Sequence, residues 1–354
     1  MESFNILFNK AGRLRSGWRL LIFAGFYFVA LAFMGVLFRL ALEVVPHQGW
    51  GSFLEGGWGW LVQAVILFVP ATLIGWGCGA MLEGLPTGAL GWALHRGWAR
   101  DLLMGSLVGA ASLLLACVIA SAPGGFNFTM TQASMWPMIA KTLLSSALIF
   151  ICSGAAEEVL FRGYPLQTVL RSWPTWAAII PSSVAFAAIH LDNPNTVRGF
   201  TFINTTLAGV WLAVAYLRTR SLWFPLGVHW AWNWTMGAVL GLPVSGISDI
   251  TPEPLMRVAD RGPAWLTGGA YGIEGGAACT LVLLISTLFI WRTRLVSATE
   301  EMVQLAGREN PAPADQTLTL LRPPSAYPSS SPQPVADAPE HIHQDSQESN
   351  APAR

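Results

Sequence analysis

The chain has 354 residues, 53% of them hydrophobic and only 11% charged, with 20 Lys and Arg against 20 Asp and Glu. Soluble domains carry about twice that charged fraction, so the composition excludes an ordinary soluble domain and points to an all-α polytopic membrane protein. A formal net charge of zero leaves no global basic surface for nucleic acid.

In chain order, Lys10, Arg13, Arg15 and Arg19 precede an uncharged run, Leu20 to Phe38. That run is longer than a secretory h-region and ends in bulky residues, so it reads as a first span that stays in place. Runs able to cross about 30 Å of hydrocarbon recur, giving eight expected spans near 20–38, 59–82, 102–122, 138–161, 174–191, 200–217, 222–241 and 266–291. Trp18, Trp58, Trp60, Trp136, Trp173 and Trp291 sit near their ends, as interfacial aromatics do. Residues 83–100 suit a short interfacial helix, and residues 242–264, with Pro, Gly and five charges, suit an exposed loop.

From about residue 298 the composition turns to Pro and Ser, with nine prolines from Pro311 onward, and disorder is expected. The chain is therefore divided into N-terminal helices (1–100), a core (101–295) and a tail (296–354). The tail's His341 and His343 read as solvated side chains rather than a metal site. Cys78, Cys117, Cys152 and Cys279 all lie in apolar runs without a CxxC spacing, and read as packing residues. Placing the N-terminus inside puts twelve Lys and Arg on the cytoplasmic side against five opposite, which favours both termini in the cytoplasm.

Charge inside a span costs about 2.5–3.5 kcal/mol at the helix centre, so each such group is a functional candidate. The set is Glu157, Glu158, Arg162, His190, His229 and Glu274. Glu158 and Arg162 are four apart and can pair on one face. Glu157 points about 100° away, into a different space. Phe186 and His190 repeat the four-residue spacing, as do His229 and Asn233. Glu157 lies 16 residues before Trp173 and His190 lies 17 after it. If the helix continues past Gly163 and Pro165 with a kink, both sit about 24–26 Å from the turn at 1.5 Å per residue, at similar depth.

Two chemistries fit these residues. A carboxylate and an imidazole activate water while a second imidazole and an amide stabilise an oxyanion, or Glu157, His190 and His229 bind one Zn²⁺ that keeps a position for water. HExxH and GxSxG are both absent. Glu158 and Arg162 read as a brace and Phe186 as a packing wall. Glu274 reads as a structural hydrogen-bonding group in the last span. Asn193, Asn195 and Asn204 line a cavity mouth or cap helices, and the Trp-rich "HWAWNW" stripe reads as lipid or core contact.

"EEVLFR" at Glu157–Arg162, "FAAIH" at Phe186–His190 and "HWAWN" at His229–Asn233 fit EExxxR, FxxxH and HxxxN in order. This resembles the CPBP (ABI) family of CAAX-processing and bacteriocin-processing intramembrane proteases, which includes the type II CAAX prenyl endopeptidase and bacterial lysostaphin-resistance-like members. The resemblance covers residues 100–292. It implies a membrane-embedded polar cavity in which Glu157 and His190 deprotonate water, His229 and Asn233 hold the oxyanion, and Glu158 and Arg162 support them. The family is described both as metalloproteases and as metal-free glutamate enzymes, so no cofactor and one Zn²⁺ both stay open. The expected partners are membrane lipid and a membrane-associated peptide or protein, prenylated or not, in a bacterial inner or plasma membrane; the oligomeric state is open. The competing readings are a catalytically silent scaffold or bacteriocin-immunity protein of the same fold, and a proton-coupled transporter.

Overall fold

The computed structural model describes residues 6–9, 12–44, 57–197 and 199–307. The chain divides into a compact unit, Met1–Ala312, and a second, Pro313–Arg354, outside the described residues. His341 and His343, and most of the expected disordered tail, lie there.

The protein is an all-α polytopic membrane protein. Its helices of seven residues or more among the described residues are α1 (Ser16–Val44), α2 (Gly59–Glu83), α3 (Trp98–Ser121), α4 (Trp136–Arg162), α5 (Tyr164–Leu170), α6 (Thr175–Ala188), α7 (Phe200–Thr219), α8 (Trp223–Trp234), α9 (Ala277–Arg292) and α10 (Glu300–Gly307). Five stretches are long and apolar enough to cross a membrane: α1, α2, α3, Ala133–Leu170 and α7. Each expected span holds a helix, but α6 and α9 are shorter, at 14 and 16 residues, while α8 runs on from Trp234 as a π-helix, Thr235–Val239. A 14-residue helix covers about 21 Å, less than the roughly 30 Å of a hydrocarbon core. The lipid-facing flank of α1 carries Phe26, Phe28, Val29 and Phe33, all exposed.

Several boundaries differ from expectation. The helix through Glu157 does not continue with a kink: it breaks at Gly163, whose ψ is −136°. A Cβ there would collide with the Val159 carbonyl oxygen, so the break needs glycine. Residues 83–100 do not form an interfacial helix. They fold into one 3₁₀ turn, Thr87–Leu90, and bury Leu85, Ala89, Leu90 and His95 against the bundle. The 242–264 segment is not simply a loop. Met256–Asp260 (β2) pairs antiparallel with Phe126–Met130 (β1), Phe128 opposite Val258, and Leu242, Val244 and Ile250 are buried. The last span begins at Ala277 rather than near 266, so Glu274 sits in a 3₁₀ turn before it. Residues 300–307 are helical rather than disordered, because Met302 buries completely and the Met302 amide donates to Thr299 Oγ1 as an N-cap.

Close backbone approach sets the position of α8. A Cβ on Gly105 or Gly109 of α3 would strike the carbonyl oxygen of Phe224 or Val228, and one on Gly227 would strike that of Leu102. In lipid, where helices gain no hydrophobic advantage from meeting, such small-residue contacts hold them together. One face of α8 is thereby pressed onto α3, and the side chains of His229 and Asn233 face a cavity on the other side.

Two apolar clusters organise the bundle. One gathers Leu113, Trp211, Val228, Trp232 and Val282 around α3, α7, α8 and α9. The other gathers Phe23, Tyr27, Tyr164, Ile179 and Leu222 around α1, α2, α5 and α6. The cavity is lined from both sides, by Trp211 and Trp232 of the first cluster and Phe23 and Tyr27 of the second.

Candidate active site

The cavity has a volume of about 860 Å³, and all three motifs reach it through Glu157, Phe186, His190, His229 and Asn233. α4 delivers the two glutamates to different places, as their 100° separation requires. The Glu157 side chain is 24% exposed, into the cavity, while that of Glu158 is 0% exposed. Burial therefore separates an accessible carboxylate from a closed one at adjacent positions.

Glu158 is held by two partners. Arg162 Nη1 donates to its Oε1 at 3.3 Å, and His229 Nδ1 donates to the same oxygen at 2.8 Å. Arg162 is itself fixed: Nη2 donates to the Gly209 carbonyl at 3.1 Å, and its Cζ lies 4.5 Å from the Phe186 ring centroid, a cation–π contact. The expected brace is present, and it reaches further than the i,i+4 spacing foretells. Glu158 orients the His229 ring, in the manner of a carboxylate behind a working imidazole.

His190 is oriented differently. It lies two residues beyond the end of α6, and its Nδ1 donates to the Phe186 carbonyl at 2.7 Å. Phe186 is thus both wall and anchor: its ring centroid is 4.8 Å from that of His190. With each Nδ1 committed to an acceptor, Nε2 of each ring turns to Glu157. His229 Nε2 lies 3.7 Å from Glu157 Oε2 and His190 Nε2 lies 3.9 Å from it. Glu157 Oε2 is buried and has no direct hydrogen-bond partner among the described residues. These separations are too long for direct hydrogen bonds, and they leave room between Glu157 Oε2 and the two rings for a small species such as water, which can donate to the carboxylate and to the His190 imidazole. Gly154, one turn before Glu158, lies beside the His229 ring, and an added Cβ would sit 3.8 Å from His229 Cγ, an ordinary contact.

The same donor types are ones Zn²⁺ accepts. Among the described residues, however, no group of three or more His, Cys, Asp or Glu side chains is spaced to hold a metal ion. No step is therefore derived through a metal.

Other sequence candidates find places around this centre. Asn193 and Asn204 line the cavity, and Asn193 Nδ2 donates to the Ser245 carbonyl at 3.1 Å. Asn204 Nδ2 donates to the carbonyls of Glu274 and Gly276. Asn195 adopts a left-handed turn with φ 58°. Within "HWAWNW" the indoles are polar anchors as well as apolar bulk: Trp230 donates to Ser106, Trp232 to Glu274 and Trp234 to the Leu143 carbonyl. Tyr271, outside the membrane-spanning helices, has its phenol held above the ordinary tyrosine range by burial first and the Glu274 carboxylate second. The cysteines are unpaired, as expected of packing residues.

Sequence reasoning missed two features here. One is the contact of Glu158 with His229, 71 residues away; the shared polarity of the two motifs was its only signal. The other is the part α1 and α2 play in the cavity wall, through Tyr27 and Gln63 among others.

The curated proteins and the solved structures yield no match to the chain. Residues 139–235 match the family model described as Type II CAAX prenyl endopeptidase Rce1-like. That segment contains all three motifs and every side chain within 4 Å of Glu157 Oε2 named above. Residues 139–235 of this integral membrane protein are thus similar to the type II CAAX prenyl endopeptidase Rce1-like family.

Proposed function

We propose that the protein is an intramembrane endopeptidase that hydrolyses peptide bonds of membrane-associated or lipidated substrates. The observation that carries this reading is Glu157, open to the cavity with the Nε2 atoms of His190 and His229 at 3.9 and 3.7 Å. In the proposed reaction Glu157, assisted by His190, takes a proton from water as the oxygen attacks the scissile carbonyl. His229, backed by the Glu158 carboxylate, and Asn233, one turn further along α8, donate to the oxyanion. The carbon–nitrogen bond then breaks, and the proton held at Glu157 passes to the departing amine. Water is consumed, and a carboxylate and an amine leave.

Two environments support dividing the roles this way. His229 Nδ1 gives its hydrogen bond to a carboxylate, which complements positive charge on that ring and suits it as a donor. His190 Nδ1 gives its bond to a neutral carbonyl, leaving Nε2 as an acceptor beside Glu157. The low-dielectric walls strengthen each of these interactions. The excess of Lys and Arg in the segments assigned to the inner side supports cytoplasmic termini.

The test is cleavage of a peptide library by purified protein in nanodiscs, wild type against Glu157→Ala, with and without a chelator. Products from wild type alone are expected, with equal yield in chelator. A folded wild type that cleaves nothing overturns the endopeptidase reading. Cleavage abolished by chelator and restored by added Zn²⁺ replaces the metal-free chemistry with a metal-dependent one.

A further inference from the structure

The cavity contains a second carboxylate that the proposed reaction does not use. Glu274 lines the same space as Glu157. Its Oε1 accepts from Trp232 Nε1 at 3.1 Å. Its Oε2 accepts from the Ser245 amide at 2.7 Å and from Ser245 Oγ at 2.9 Å. The indole and the amide can only donate, so both oxygens act as acceptors, the hydrogen-bonding pattern of an anion. Yet among the described residues no Lys, Arg or His nitrogen lies within ion-pair distance of it.

This contrasts with two sealed glutamates of the bundle. Glu83 has two arginines, and Glu158 has an arginine and a histidine. An anion in a cavity whose lining is largely apolar, Leu212 and Leu283 included, is costly without a counter-charge.

Glu274 is also tied to both histidine-bearing segments. Trp232 is its partner on α8, between His229 and Asn233. On the other side, Asn193 follows His190 by three residues and donates to the Ser245 carbonyl, while the Ser245 amide and hydroxyl hold Glu274. The carboxylate is thus positioned by the same two segments that position the imidazoles.

We infer that Glu274 is a substrate subsite for a cation, the side chain of a Lys or Arg close to the scissile bond, and that it selects peptides carrying one. The inference rests on the endopeptidase reading for the word substrate, but its binding component does not.

The experiment pairs two peptides, identical except for Lys or norleucine beside the cleaved bond. Wild type is expected to prefer the Lys peptide by about tenfold or more in kcat/KM. Glu274→Gln, which keeps the size of the side chain but not its charge, is expected to collapse that ratio towards one, and Glu274→Asp to retain most of it. Binding of both peptides to Glu157→Gln protein in nanodiscs, with and without Glu274→Gln, is measured alongside. Cleavage with no Lys preference, or a Glu274→Gln loss equal for both peptides, overturns the subsite and leaves the endopeptidase reading standing. No cleavage, with Glu274-dependent binding of the Lys peptide, overturns the endopeptidase reading and leaves the subsite standing. No cleavage and no binding preference overturns both.

Discussion

Glu83 and Glu157 are both glutamates on apolar helices, and the protein treats them in opposite ways. Glu83, at the end of α2, is sealed. Its Oε2 meets Arg19 of α1 at 3.2 Å and Arg171 at 2.7 Å, and its Oε1 accepts from Thr168 at 2.6 Å. Glu157 is 24% exposed and faces two imidazoles beyond hydrogen-bonding distance. A carboxylate saturated by fixed cations joins helices and has nothing left to exchange. A carboxylate left short of partners keeps its proton-accepting capacity for an incoming molecule. Charge inside a membrane protein therefore separates by completeness of pairing, not by depth alone.

The comparison is broken most severely at Glu157. Glu157→Gln should lower cleavage by about 100- to 10,000-fold, the contribution of a positioned base, with stability changed by no more than about 1 kcal/mol. Product mass spectrometry and thermal unfolding in nanodiscs read the two quantities. A Glu157→Gln protein that unfolds readily would place Glu157 with Glu83 as a structural group.

Glu158→Gln tests the intermediate case, a closed carboxylate that also serves the site. Loss of the bond that orients His229 should cost about 10- to 100-fold in kcat. Stability should fall as well, because Arg162 is left buried without its anion. Retention of full activity would sever the link from Glu158 to His229.

Glu83→Gln should show the reverse pattern. The buried Arg19 and the partly buried Arg171 lose their counter-charge, and breaking a buried pair costs about 3–5 kcal/mol. The apparent melting temperature should drop by several degrees while turnover per folded molecule stays within a few-fold. A selective loss of turnover would show that the seal between α1, α2 and the α5 end also shapes the cavity.

The difference between the two glutamates was only half legible in the sequence. Glu157 stands in a charge-free run with helical spacings on either side, so local periodicity exposes it and even separates its face from that of Glu158. Glu83 reads as a residue at the edge of a span, because Arg19 and Arg171 lie far away in the chain. The β1–β2 pairing was hidden for the same reason: Phe126 meets Asp260 across more than a hundred residues. The α10 helix was hidden by composition, since Met302 and Leu305 sit at the start of a Pro- and Ser-rich stretch and their burial depends on a distant surface.

By itself, the sequence determined the membrane character, the run of apolar helices, the three motifs and the divergence of the two adjacent glutamates. These follow from composition and from 3.6-residue periodicity, which are local properties of the chain. Only the tertiary structure decided that Glu158 orients His229, that α1 and α2 help wall the cavity, and that Glu274 stands in it without a counter-ion among the described residues. Each depends on which distant segments the glycine contacts and helix breaks bring together, and hydrogen bonds and ion pairs act over a few ångströms of space whatever the separation along the chain.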